Sequence, residues 1–177
     1  GEMVMPIPRY DIVFEHQKIH HTEYRTEFII KSMMDDIEEG HVRWYPYLGE
    51  ELRADGKPQE ALQAFRSYLI LNLEEVDSEW RQHIKKCFEE VIATFKDISN
   101  GDDQGKWLSV VSFLDDANNQ TSFLKKNPIF WEYYALAVWY SQGKEKARPF
   151  HDLAKLFDAD KQENFIWKNE RFYQDRD

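Results

Sequence analysis

Histidines near the start of the chain are the residues best suited to chemistry. His16, His20 and His21 lie close together in the sequence, and imidazole both binds metals and transfers protons near neutral pH. On a helix, His16 and His20 would share a face at a spacing that suits zinc. The preceding residues 11–14, Asp-Ile-Val-Phe, are instead β-branched and aromatic and predict a strand. On a strand these rings do not converge, so we expect no metal site in this chain alone.

Acidic pairs and a single thiol are the other candidates for chemistry. Asp35-Asp36 and Asp115-Asp116 could coordinate a metal–phosphate group, but both pairs fall late in predicted helices, where solvated acids are common. Cys87 lies on an apolar stripe, so we expect a buried, unreactive thiol. The sequence contains no glycine-rich phosphate loop, nucleophile elbow or Cys-x-x-Cys pair. These residues therefore do not support an independent enzyme.

Aromatic residues make up 15% of the chain, which is more than the core of a small helical protein readily holds. Exposed rings on a concave face would bind a peptide or a sugar. We predict such binding for Trp44, Tyr47, Trp131 and Tyr133. The alternative is that most of these rings pack inside the protein.

Composition and charge narrow the class of protein. The formal net charge of −10 repels phosphate backbones, so we expect no nucleic-acid partner. No apolar run reaches the roughly 18 residues needed to cross a bilayer, and no secretory leader is recognisable. One cysteine excludes an internal disulfide and suits a reducing compartment. We therefore expect a cytoplasmic protein without a membrane partner.

Apolar periodicity predicts helices throughout the chain after Thr22. The first runs from Thr22 to about Gly40, and a pair follows at about 42–55 and 58–72. Asp77 and Ser78 are predicted to cap a long helix, whose apolar stripe recurs at helical spacing. The stripe consists of Trp80, Ile84, Cys87, Phe88, Val91, Phe95 and Ile98.

The second half of the chain is predicted to be a loop followed by further helices. Turn-forming residues predict a loop over 99–105, and helices are expected near 106–116 and 119–126. A further helix pair follows around a turn at Gly143, and the tail, 160–177, is interpreted as a capping helix.

The most informative pattern is one tetratricopeptide repeat. Such a repeat places small and large residues at fixed positions along two antiparallel helices. Gly49 and Ala61 would be small where the helices approach, while Phe65 would fill the space beside them. Seven positions match: Tyr45, Leu48, Gly49, Leu52, Ala61, Phe65 and Tyr68. A second unit keeps the same register at Trp131, Tyr134, Ala135, Val138, Ala147, His151 and Ala154.

The predicted fold is all-α. It is a stack of about three tetratricopeptide-like hairpins, with a degenerate middle unit, preceded by a short N-terminal strand stub. Residues 1–21 would form this stub as the junction to a missing catalytic domain, and residues 22–177 would form the helical domain.

The order of these elements resembles the C-terminal region of family 2, GT-A-type glycosyltransferases that carry a tetratricopeptide tail. The resemblance rests on the strand leading to His16, on a charged helix, and on the repeat segments 45–52 and 56–65. It is similar in layout to bacterial peptide S-glycosyltransferases. The family motif His-x-Gly-Tyr is replaced here by Gln, Lys and Ile after His16, and the family's Asp-x-Asp catalytic domain is not in this chain.

The resemblance implies a helical accessory domain for acceptor recognition or assembly, not catalytic alone. His16 would then lie near the donor diphosphate and metal, in a site completed by the missing catalytic domain. The full-length protein would use a nucleotide sugar and Mn²⁺ or Mg²⁺, whereas this chain would hold no cofactor. The expected partner is a protein or peptide acceptor, or a second copy of the chain. The alternative is a free-standing tetratricopeptide adaptor that binds a peptide or protein.

Overall fold

The computed structural model describes residues 23–158 and confirms the all-α prediction, since eight α-helices and no strand occur within that range. The predicted strand stub and the predicted capping helix over 160–177 lie outside the described residues. The helices are α1 Glu23–Glu38, α2 Tyr45–Ala54, α3 Pro58–Leu69, α4 Leu73–Val76, α5 Trp80–Ser99, α6 Asp103–Asn119, α7 Pro128–Gln142 and α8 Lys144–Phe157, with 3₁₀ turns at Val42–Trp44 and Leu124–Lys126. No helix in the described range is long and apolar enough to cross a membrane.

Local chemistry explains where several helices begin. Pro58 and Pro128 lie in the first turns of α3 and α7. A backbone N–H group there has no partner within the helix, so proline, which lacks that group, is well tolerated. The side chain of Asn127 accepts hydrogen bonds from the backbone N–H groups of Ile129 and Phe130 at 2.9 and 3.2 Å. These bonds satisfy donors that the first turn of α7 would otherwise leave free.

The predicted loop over 99–105 is too long. Asn100 and Gly101 reverse the chain after α5, both with positive φ, at 55° and 91°. Asp102 then caps α6 by accepting a hydrogen bond from the Gly105 N–H at 3.0 Å, so the helix already begins at Asp103.

The predicted helix over 119–126 is wrong, since only the 3₁₀ turn Leu124–Lys126 forms there. Polar residues that follow α6 offer the backbone alternative partners. Thr121, for example, accepts a hydrogen bond from the backbone N–H of Phe123 through its hydroxyl at 3.2 Å. Such local bonds compete with the helical pattern.

By chain order the helices group into three pairs, α2–α3, α5–α6 and α7–α8, and α6 contacts α7 as extensively as it contacts α5. Helix α1 packs on α2. Helix α5 contacts both α2 and α3, and α7 contacts both α5 and α6. The first helix of each later pair therefore packs against both helices of the pair before it.

The core runs continuously through these pairs. Between the first two pairs, the thiol of Cys87 lies 3.6 Å from the carbonyl oxygen of Phe65. Between the next two, the ring centroid of Phe88 lies 4.8 Å from that of Tyr133 and 6.3 Å from that of Phe130. The α5 stripe is buried from Trp80 to Val91, half-buried at Phe95, and 42% exposed at Ile98.

The closest approach of α2 and α3 occurs at Gly49. The ring of Phe65, which is fully buried, occupies the space that a Cβ atom on Gly49 would need. Ala61, four residues earlier on α3, is also fully buried. The small residues of the repeat pattern thus lie in close packing, as predicted.

We expect Gly49→Ala to destabilise the protein by about 1–3 kcal/mol, because the Phe65 ring has no free volume to move into. Alanine's better helix propensity, worth about 1 kcal/mol, offsets part of this loss. The measurement is the free energy of unfolding in urea.

The control is a double-mutant cycle with Phe65→Leu, which makes room for the new methyl group. The double variant should be more stable than the sum of the two single effects implies. Strict additivity would contradict the proposed clash.

Candidate functional site

A buried polar network connects α3 to α5. One carboxylate oxygen of Asp77 accepts a hydrogen bond from the Tyr68 hydroxyl at 2.7 Å and lies 2.8 Å from Nδ1 of His83. The other oxygen accepts the backbone N–H of Glu79 at 3.0 Å. Asp77, Tyr68 and His83 are all buried. Burial, followed by the hydrogen bond to Asp77, raises the pKa of Tyr68 far above its usual range, so the hydroxyl remains a donor.

This network corrects the predicted role of Asp77. Helix α5 begins at Trp80, and the residue at its N-cap is Glu79, which makes no capping hydrogen bond through its side chain. The Asp77 carboxylate binds Tyr68 and His83 instead. An Asp-Ser pair before an apolar stripe gives the same sequence signal whether the aspartate caps the helix or joins a buried network. Only the residues that the aspartate contacts in the folded protein distinguish the two roles.

Two aromatic rings extend this network towards the surface. Tyr47 makes an edge contact with His83, with ring centroids 5.8 Å apart, and Trp44 makes one with Tyr47 at 5.5 Å. Both rings are half-buried. The ammonium group of Lys86 lies 4.8 Å from the Tyr47 ring centroid, and the guanidinium group of Arg43 lies 5.4 Å from that of Trp44. These contacts restrict the movement of both rings, which remain partly exposed to solvent.

Charged pairs continue the same surface along α2 and α5. Arg53 donates hydrogen bonds to Glu90 at 3.0 and 3.2 Å and to Asp97 at 3.1 Å. Lys86 pairs with Glu50 at 3.1 Å. We call this surface the α2–α5 face, which comprises Trp44, Tyr47, Glu50 and Arg53 on one side and Lys86, Glu90 and Asp97 on the other.

The chemistry available on the α2–α5 face is recognition by contact. Half-exposed rings can stack on or pack against a ligand, and paired charges of both signs can exchange partners with its polar groups. Within residues 23–158, no group of three or more histidine, cysteine or acidic side chains could hold a metal ion.

The other two predicted binding residues lie on α7. Trp131 stacks on Phe150 with ring centroids 5.9 Å apart, and its indole N–H donates to the carbonyl oxygen of Lys125 at 2.8 Å. Tyr133 is only 5% exposed and packs on Phe88. Burial gives Tyr133 a packing role, while Trp131 remains half-buried. Ligand binding by these two residues stays a prediction.

The other residues that the sequence singled out for chemistry either have structural contacts or lie outside the described part of the chain. Cys87 is fully buried, and burial raises the pKa of its thiol well above the usual value, which is the inert environment we expected. Asp115 accepts a hydrogen bond from the Tyr134 hydroxyl at 2.7 Å, and Asp116 pairs with Arg66 at 3.2 Å. His16, His20 and His21 lie outside the described residues.

Comparisons of the chain with protein families, curated proteins and solved structures find no match.

We expect Tyr68→Phe to lower the free energy of unfolding by about 1–3 kcal/mol, because it removes a donor from a buried carboxylate. Tyr134→Phe is the matched control. It deletes a tyrosine–aspartate hydrogen bond of the same 2.7 Å length, but Asp115 is exposed to water. The control should lose less than about 1 kcal/mol, since water replaces the lost donor. Equal losses in urea unfolding would contradict the importance of the buried network.

Proposed function

We propose that this chain is the helical accessory domain of a family 2, GT-A-type glycosyltransferase, where it serves acceptor recognition or assembly. The observation that carries the helical part of this proposal is the close packing of Gly49 against Phe65. It lies within a repeat pattern whose other members, apart from the half-buried Tyr45, are all buried. The glycosyltransferase part rests on the sequence order of strand, His16, charged helix and repeat.

That the helices are arranged as tetratricopeptide repeats is also part of this proposal. In tetratricopeptide arrays each unit packs only on its neighbours, and the first helices line a concave binding surface. The contacts of α5 with both helices of the first pair, and of α7 with both helices of the second, support that arrangement. Helices α2, α5 and α7 would then line the concave side.

The α2–α5 face is the part of that surface best suited to an acceptor peptide. Trp44 and Tyr47 offer rings that are already held in place, so little conformational entropy is lost when a ligand packs on them. Arg53 and Lys86 add donors for backbone carbonyl or carboxylate groups. A protein or peptide acceptor fits these features, and a second copy of the chain is the other partner that the proposal includes.

In this proposal the chain is catalytically silent alone. The nucleotide sugar and Mn²⁺ or Mg²⁺ would bind to the catalytic domain, with His16 close to the donor diphosphate. Titration of the isolated chain with a nucleotide sugar and Mn²⁺ should therefore give no heat of binding in calorimetry. Donor binding by the isolated chain would instead indicate an independent enzyme.

In a longer protein that contains the catalytic domain, His16→Ala should lower kcat by at least about tenfold, because a group beside the donor is lost. His20→Ala is the matched control and should retain activity. Equal activity of both variants would remove the role of His16. A natural chain without any catalytic domain would favour the alternative, a free-standing adaptor that binds a peptide or protein.

Acceptor recognition makes a separate prediction for the same longer protein. Trp44→Ala and Tyr47→Ala should each raise KM for the acceptor by roughly tenfold with little change in kcat, as expected for lost binding contacts. Leu156→Ala, which alters a side chain on α8 that is 72% exposed, is the control. If the acceptor KM is unchanged in all three variants, the α2–α5 face does not bind the acceptor.

A further inference from the structure

A cleft of about 360 Å³ lies between two connections that join one helix pair to the next. One wall is formed by residues 71–74, which follow α3, and the other by residues 122–127, which precede α7. The cleft shares no residue with the α2–α5 face.

The charge of this cleft differs from that of the whole chain. The chain carries 33 acidic residues and a net charge of −10, yet its two longest stretches without an acid are 61–73 and 117–131. Apart from Glu74, every residue lining the cleft comes from these stretches. Lys125 and Lys126 are both exposed there, and neither forms an ion pair with another residue in the described range. The residues that line the cleft therefore carry two positive charges and one negative charge, on a protein whose net charge is −10.

The cleft also offers apolar contact. Leu73 and Leu124 are buried at its base, Leu71 is half-buried, and the ring of Phe123 is 46% exposed. The first N–H groups of α7 are already bonded to Asn127. An anionic ligand must therefore pair with the lysine ammonium groups and not with the helix terminus.

We propose that this cleft binds a peptide segment in which an apolar side chain is flanked by acidic residues. The apolar side chain packs against Leu71 and Phe123, and the flanking carboxylates pair with Lys125 and Lys126. A basic segment would be repelled by both lysines. The acids nearest to it would be Glu74 in the lining and Glu75, whose carboxylate accepts a hydrogen bond from Asn72 at 3.0 Å. The cleft is thus a second docking site, beyond the acceptor surface proposed above.

The test uses the whole chain and a defined probe, the peptide acetyl-Glu-Glu-Phe-Glu-Glu-amide, titrated while backbone amide shifts are recorded by NMR. Shift changes should concentrate in residues 71–74 and 122–127, and the affinity should fall as salt screens the ion pairs. The analogue with lysine in place of each glutamate should cause no such changes.

Charge variants test the assigned contacts. Lys125→Glu with Lys126→Glu should weaken binding of the probe by roughly tenfold. The matched control, Lys96→Glu with Lys155→Glu, makes the same charge change at two exposed lysines on α5 and α8 and should leave the affinity unchanged. Glu74→Gln should strengthen binding by about twofold, because it removes the repulsion. All of these positions are exposed, and circular dichroism checks that each variant remains folded.

Three results would overturn the proposal: absence of shift changes in the cleft, equal binding of the lysine analogue, or an unaltered affinity in the Lys125 and Lys126 variant. Shift changes caused equally by inorganic phosphate would show a general anion site instead. The acceptor surface is tested separately by the Trp44→Ala and Tyr47→Ala variants. The proposed peptide cleft and the proposed acceptor surface can therefore be disproved independently.

Discussion

The contact of the Phe65 ring with the backbone at Gly49 is the constraint on which the packing of the first helices depends. It holds α2 and α3 close together, and both helices then contact α5 of the next pair. The carbonyl oxygen of Phe65 accepts a hydrogen bond from the Cys87 thiol. Tyr68, one turn further on, donates its hydroxyl to Asp77. A displacement of Phe65 would therefore disturb the position of α5 through two neighbouring contacts, Phe65 with Cys87 and Tyr68 with Asp77.

The Asp77 network adds directional hydrogen bonds to an interface between α3 and α5 that is otherwise apolar. Apolar contact between α5 and α3 is not directional, so shape complementarity alone fixes their relative position. A carboxylate bonded to Tyr68, His83 and the Glu79 N–H fixes one relative position, because a shift would leave a buried charge unsatisfied. His83 in turn makes an edge contact with Tyr47, which links the buried network to the α2–α5 face.

Sequence patterns predicted the features that depend on local spacing. The apolar stripe of α5, the hairpin around Gly56 and the small residues Gly49 and Ala61 are all recognisable from periodicity. The role of Asp77 was not predictable, because its partners come from two other elements. The segment 119–126 was misassigned because the hydrogen bond that the Thr121 hydroxyl accepts from the Phe123 N–H is invisible in a count of apolar residues.

The candidate site was predicted only in part, and for a related reason. Trp44 and Tyr47 lie half-buried on one surface, as a binding role requires, whereas Tyr133 is buried. Helix α7 is apolar on nearly all sides, and such a helix is enclosed by its neighbours. Spacing alone therefore did not indicate which of its rings would face solvent. His16, the one predicted catalytic residue, lies outside the described part of the chain.

The position of α1 at one end of the stack has a consequence for local unfolding. It packs on α2, and none of its side chains from Tyr24 to Glu38 is fully buried. An element with few buried contacts opens at a lower free energy than one enclosed by other helices, and among the described residues α1 is less buried than α5. Amide protons should therefore exchange with solvent faster in α1 than in α5, which contacts α2, α3, α6 and α7.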